Sequence, residues 1–444
     1  MISTAEQWYG SLGAGWRALR FKHVATIVGG QVDPTDDRYS ALPLFAPNHM
    51  ESGTGRLLAV DSAEDQAAES GKYLVADGDV LYSKIRPALR KVVVAPTAGL
   101  CSADVYAIRP NRRLLEPRFL FYLLLSEGFA QYSLLESDRV AMPKINREAL
   151  GECPLVFPAL DRQRAIVGFL DAKTANIDAL IAKQEQLLAL LAEKRQALIT
   201  QAVTKGLDPN VPMKDSGVDW IGEVPAHWSV AALSTRYQID LGKMLSPEVA
   251  NGPYPLPYLG NQHVRWDHVV VDDLPTMSID PSERERYTLR PGDLLVCEGG
   301  EVGRTAMWRG ELDVCAYQKA LHRLRARNDG DVARYLYFAL VTAAGLGVFE
   351  AEGNRSTFVH LTSEKLRRHR FPFPPTAEQA KIAEYLDREA GRLDTLSQRV
   401  QAMIEKLREY RQALITAAVT GQLDVTSGAA ATSAPKPYAE AVGT

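Results

Sequence analysis

Few side chains in this 444-residue chain are spaced for bond-making chemistry. Cys101, Cys153, Cys297 and Cys315 lie far apart, with no CxxC pair and no histidine at ligand spacing. That is a reduced pattern without a metal site. His263 and His268 are five apart, a poor match to histidine pairs on one helical face, and read as structural or solvent-facing. The acidic pairs Asp36-Asp37 and Asp272-Asp273 sit in loop-like sequence with no partnered base. No GxxxxGK[ST] or GxGxxG phosphate cradle is present: Gly345 and Gly347 stop short, and Gly299-Gly300 to Gly303 lacks the spacing. There is no G-x-S-x-G elbow around Ser11 or Ser52, nor the Asn-Pro-Pro-aromatic tetrapeptide used by amino-group methyltransferases. With every class failing together, the chain is expected to catalyse nothing alone.

What remains is local positive charge. Residues 82–113 hold seven basic side chains (Lys84, Arg86, Arg90, Lys91, Arg109, Arg112, Arg113) against one acid, Asp104, in a chain of net charge −3. Residues 296–327 hold six basic and four acidic residues. Such an excess is what phosphate contact requires, although a charge run is equally a solvated face. Lys84, Arg86, Arg90 and Lys91, with Arg304 and Lys319 in the second region, are the candidate phosphate contacts. Arg139 and Lys144, and further on Arg355, Ser356 and Thr357, are candidates for groove entry from loops. For any single one, an ordinary surface role is as good a reading.

The elements that would position these residues follow from length and pattern. The length fits roughly three domains of about 150 residues, and 46% hydrophobic with 24% charged residues is globular. The longest apolar run, 119–125, falls far below the roughly 18 residues that cross a bilayer, and MISTAEQWYG is no signal peptide. A cytoplasmic chain is expected. Residues 73–81, 91–94 and 103–108 read as strands; 118–125 and 334–341 read as short core helices.

Laid on itself, the chain repeats. Residues 157–208 and 373–424 align at a constant offset of 216, with 21 of 52 positions identical and RQALIT in both. Weaker echoes extend the repeat: Trp16 with Trp228 at offset 212, and His49 with His263, Gly78-Asp79 with Gly292-Asp293 and Cys101 with Cys315 at 214. Two halves of about 210 residues result, each a divergent globular part followed by a better preserved helix. Leu170, Ile177, Gln184, Leu191 and Leu198 fall at heptad position a, with Leu180 and Leu187 at d and Ile181 and Leu188 at e. Leu386, Leu393, Val400, Leu407 and Leu414 repeat position a, with Leu396 and Met403 at d. Thr376 is expected to cap the amides near Gln379 as a capping box, while Gly206 and Pro209 end the first helix. Each helix wants an apolar partner, and the other copy is the economical one. Mixed charge along both marks solvated flanks and not a basic arm on DNA.

These residues resemble the specificity subunit of type I restriction–modification systems over essentially the full length. The carriers are FPFPPTAEQ at 371–379, KRQALI at 194–199, GVDWIGEVPAHW at 217–228 and the two Gly-Asp motifs. In the first half Gly13 stands where the second has Pro225, a departure confined to that turn. The resemblance implies a mixed α/β (α+β) fold with a pseudo-two-fold repeat. Two target-recognition domains, 1–156 and 209–372, would be separated by helices at 157–208 and 373–424 forming an antiparallel coiled coil, followed by a disordered tail, 425–444. It implies double-stranded DNA, two modification (methyltransferase) subunits and two restriction (motor and nuclease) subunits as partners. S-adenosylmethionine, ATP and Mg²⁺ would belong to those subunits, with none in this chain. The rivals are the recognition subunit of a type II enzyme cutting beside its site, a self-sufficient DNA enzyme and a coiled-coil adaptor without DNA affinity.

If paired helices set the distance between two reading heads, helix length is a ruler. Four residues inserted between Leu191 and Leu198 add roughly 6 Å of rise, against about 3.4 Å per base pair. Part of that shift is absorbed by the disturbed heptad phase, so the unread gap in the methylated motif should lengthen by about one base pair. Methylome sequencing reads the gap; an active variant with the original gap would exclude the ruler.

Overall fold

The computed structural model describes residues 2–137, 143–350 and 360–425. Arg139, Arg355, Ser356, Thr357 and the tail expected to be disordered from 426 onward lie outside them. Two long helices are present, Leu160–Lys205 and Thr376–Thr420, each followed by a glycine in the left-handed region, Gly206 and Gly421. They do not form a domain of their own. The chain divides into one compact unit of Met1–Glu185 with Gln401–Thr444 and another of Gln186–Val400. Each unit therefore contains a globular head, the start of its own long helix and the end of the other.

Within each unit the two helix segments run antiparallel. In the first, Arg411 bonds Asp178 at 2.8 Å and Arg408 bonds Glu185 at 3.0 Å. In the second, Arg195 bonds Asp394 at 2.7 Å. Arg195 and Arg411, like Asp178 and Asp394, are related by the repeat offset of 216, so one ion pair is made twice with the helices exchanged. Each unit thus carries the same ion pair, with its two members on exchanged helices.

Burial follows the expected phase but not every expected column. Leu170, Ile177 and Leu191 are buried, as are Leu386, Val400 and Leu414. Thr174, Ala390, Ile404 and Arg411, four residues after successive a positions, complete the buried stripe. The d residues Leu180, Leu187, Leu396 and Met403 are exposed instead. The cause lies at the helix starts. Ile166 and Leu170, or Ile382 and Leu386, are fixed in the core of their own head, and that rotation carries a and e, not d, onto the partner.

Each head has a four-stranded sheet in matching order. In the first unit it is Ala25–Ile27, Val105–Pro110, Val80–Ser83 and Val92–Val94; in the second it is Tyr237–Leu241, Leu321–Ala326, Leu294–Cys297 and Thr305–Met307. The helices Pro117–Leu125 and Ala333–Gly345 are core, as expected. The run 73–81 is not one strand. Gly78, at φ +79°, breaks it into Lys72–Val75 and Val80–Ser83, which belong to different sheets. Cys101 and Cys315 are not equivalents either: Phe45 pairs with Cys101, whereas Leu259 pairs with Tyr317. The match of the two cysteines is a coincidence of alignment across a two-residue insertion.

Two buried polar devices are repeated. Gln163 accepts from the Glu116 amide and donates to the carbonyls of Leu114 and Pro158; Gln379 accepts from the Val332 amide and donates to the Pro374 carbonyl. Gln379 thus serves the preceding chain, and Thr376 donates to the Gly330 carbonyl, so the expected capping box is not formed. Asp79 and Asp293, almost fully buried, accept from Arg109 and Arg325 and from the amides of Ala76 and Arg290. The Gly-Asp motifs are therefore a turn glycine followed by a buried ion pair.

Gln163→Leu keeps the volume and strands one amide and two carbonyls, a loss of about 3 kcal/mol. Urea unfolding of the full chain should show it; a loss below about 0.5 kcal/mol would mean that water replaces the side chain.

Candidate nucleic-acid interface

In the first unit the strand Val80–Ser83 runs on into Lys84, Ile85 and Arg86, which pair with 143–145. The Ile145 amide donates to the Lys84 carbonyl, the Arg86 amide to that of Pro143, and the Lys84 amide to that of Asp104. Asn146 caps the next helix, Arg147–Glu152, by accepting from the Ala149 amide. One aromatic ring organises the cluster. Tyr106 donates to the Ile145 carbonyl at 3.2 Å, and its ring lies 5.7 Å from the Lys84 ammonium and 5.6 Å from the Arg147 guanidinium. Arg147 also lies 5.7 Å from the Tyr73 ring and donates to the Val28 carbonyl. Arg86 and Lys144 are exposed. Four cations thus share one strand pair and the helix start beside it, two of them over a ring.

The second unit builds the same frame with other side chains. The Leu361 amide donates to the Glu298 carbonyl and the Glu298 amide to that of Ala320. His322 takes the place of Tyr106 and donates through Nε2 to the Leu361 carbonyl at 2.6 Å. Burial holds His322 below the usual imidazole range, so it stays neutral with Nε2 protonated. His360 and Ser363 occupy the places of Lys144 and Arg147.

Three of the remaining candidate cations, Arg90, Lys91 and Arg304, are bound internally. Arg90 pairs with Glu127 at 2.6 Å, both largely buried. Lys91 donates to the Pro47 carbonyl at 2.6 Å, and Arg304 to the Asn261 carbonyl at 2.9 Å as well as pairing with Glu301. Lys91 and Arg304 are equivalent, since the Ser83 amide donates to the Lys91 carbonyl and the Cys297 amide to that of Arg304. Both pin the same short helical turn, Pro47–His49 or Asn261–His263. Lys319 is exposed. A cleft of about 610 Å³ in the first unit presents Arg56, Arg90, Arg408 and Arg411, each already opposite a carboxylate.

Sequence reading missed Arg147 and Tyr106. The only local signal was Asn146 as a helix cap, which makes the next side chain a helix-start residue beside the strand pair. The histidines separate: His263 is buried and accepts from the Gly260 amide, while His268 is exposed. The thiols are buried and raised by desolvation, Cys297 to about 11 and Cys101 and Cys315 to about 12, with Cys153 raised also. At neutral pH they are thiols, not thiolates. Among the described residues no group of histidine, cysteine and carboxylates could hold a metal ion, and no helix is long and apolar enough to cross a membrane.

The family model described as the type I restriction modification DNA specificity domain matches residues 15–189 and 278–406. The EcoDI specificity subunit of Escherichia coli is 36% identical over 157 residues, 35% of this chain and 34% of that protein. The match thus spans about a third of that relative's length. The MjaX specificity subunit of Methanocaldococcus jannaschii, itself described as putative, is 22% identical over 80% of both chains. Among solved structures, one concerned with assembly and conformational transition of the type I R-M system has a chain superposing at a TM-score of 0.75 and 22% identity. It covers 93% of this chain and 100% of that one. The HsdS subunit from Thermoanaerobacter tengcongensis gives 0.53 at 21% identity, covering 93% and 98%. At these identities the two structures speak for the fold.

Lys91→Ala and Arg304→Ala should each loosen the turn they pin, costing about 1–2 kcal/mol. Hydrogen exchange at the amides of His49 and His263 measures it; unchanged protection would free both cations for another role.

Proposed function

Because the chain belongs to the family of the type I restriction–modification DNA specificity domain, we propose that it is the specificity subunit of such a complex, reading a bipartite, asymmetric double-stranded DNA site with one head per half-site. The observation that carries this is one backbone frame built twice with different side chains on the same surface. A shared frame fits two equivalent DNA half-sites, and unlike side chains make those half-sites unlike. A catalytic role is not needed for that task, and the buried thiols and neutral His322 fit a reader better than an enzyme.

Phosphate contact in the first head falls to Lys84, Arg86 and Lys144, exposed or half-exposed, and in the second to Lys319. Arg90, Lys91 and Arg304 support the frame behind them. Arg139 and the Arg355-Ser356-Thr357 loop remain the groove-entry candidates. The exposed leucines and Met403 on the long helices give partner subunits an apolar stripe to cover. On this reading the partners are two modification subunits, which hold S-adenosylmethionine, and two restriction subunits, which use ATP and Mg²⁺, in the cytoplasm with the DNA. A type II enzyme that cuts beside its site is not favoured.

Exchanging residues 1–156 for the equivalent segment of a relative should change one half of the methylated motif and leave the other. Methylome sequencing decides it. A folded, active hybrid in which both halves change contradicts independent heads, and a strain whose methylome is unaltered by deleting the gene contradicts a specificity subunit altogether.

A further inference from the structure

The two heads differ in charge where their frames coincide. In the first, Lys84, Arg86, Lys144 and Arg147 face one acid of that frame, Asp104, leaving three net positive charges. At the same places the second head has Glu298, Gly300, His360, Ser363 and Ala320, and Lys319 beside them only balances Glu298. Glu148 and Glu364, one residue into the adjoining helices, are common to both. The second head's helix, Ser363–Arg368, does carry Lys365, Arg367 and Arg368. Arg367 bonds the Ile239 carbonyl and Ser363, and Arg368 pairs with Glu364. They project from later positions than the first head's cluster.

The supporting side chains differ in the same sense. Tyr106 and His322 perform one structural task, holding the carbonyl of residue 145 or 361. Tyr106 adds a ring face on which Lys84 and Arg147 rest, which orients two cations at low entropy cost. His322, buried and neutral, offers no such platform and faces Glu298.

We propose that the heads divide the work: the first, through Lys84, Arg86, Lys144 and Arg147 arranged around Tyr106, supplies most of the phosphate-backbone anchoring and hence the salt dependence. The second grips its half-site with few ionic contacts and relies on neutral hydrogen-bonding groups. Arg147 is a DNA-positioning residue on this account. The inference rests on the reading of the chain as a two-headed DNA reader. Phosphate contacts displace counterions and are sequence-blind, so loss of the cluster weakens binding without changing the motif.

The test is binding of a duplex carrying the methylated motif by the full chain in complex with its modification subunits, over a range of salt. Each phosphate contact contributes about 0.9 to the slope of log K against log salt. Combined Lys84→Ala, Arg86→Ala, Lys144→Ala and Arg147→Ala substitutions should lower that slope by about 3.6, whereas Lys319→Ala lowers it by at most about one. The gain-of-charge variant His360→Lys, at an exposed site, should raise it by about one and needs no cluster to be dismantled. Methylome sequencing should find both half-site sequences unchanged in all three. An unchanged slope in the four-fold variant, or equal losses from the two heads, overturns the division of work. Should the four-fold variant not fold, failure of His360→Lys to raise the slope overturns it. If the unsubstituted complex shows no preference for the motif, the reading of the chain as a DNA reader fails instead.

Discussion

An apolar stripe on a helix of 46 residues cannot be left in water, and most of this architecture follows from how that stripe is covered. Neither long helix is buried by a single head. Each begins in the core of one unit and ends in the core of the other, where it meets the opposite helix running the other way. Arg411 with Asp178 and Arg195 with Asp394 fix the register from both ends. They are not equal: Arg411 is nearly buried and also donates to the carbonyls of Gly53 and Thr54, while Arg195 is more exposed. The first tethers a loop of the head to the helix pair; the second is a solvent-screened pair worth at most about 1 kcal/mol.

Heads built on that scaffold can vary at the surface because their frames are held from behind. Gln163 and Gln379 tie the chain before each core helix to the first turn of each long helix. Asp79 with Arg109, and Asp293 with Arg325, close the turn before the central strand. Lys91 and Arg304 anchor a short helical turn to it. All of these are satisfied within the head, so the outward positions 84, 144 and 147, or 298, 360 and 363, are free to differ. Arg90 shows how close the two roles lie: one residue from Lys91 in sequence, it is held by Glu127 and unavailable to a ligand. Part of the positive charge of the 82–113 run is therefore spent inside the head: Arg90 and Arg109 are held by acids and Lys91 by a carbonyl.

Whichever cations face outward decide how a head meets a polyanion. A lysine and an arginine laid over the Tyr106 ring are pre-oriented. The equivalent place in the second head is built around a neutral histidine and a carboxylate. The proposed division of work rests on this local contrast in charge, and the shared frame presents both surfaces on the same kind of strand pair.

The sequence by itself determined the duplication, the helical phase and the helix ends, because these depend on periodicity and on local chemistry such as Gly206 and Gly421. It also marked the family through short motifs whose residues proved to be buried devices. Which face of the long helices is covered was decided only by tertiary structure: Leu180 and Leu187 satisfy the heptad as well as Leu170 does, and the anchoring of each helix start in its head chose between them. So was the fate of the charges. Spacing cannot tell Lys84 from Lys91 or Arg90, since a cation is free or spent according to a carboxylate or carbonyl that comes from elsewhere in the chain, Glu127 or Pro47. Arg147 was invisible for the converse reason. It joins the cluster only because a strand pairing between 84–86 and 143–145 folds it over a tyrosine some forty residues away in the chain.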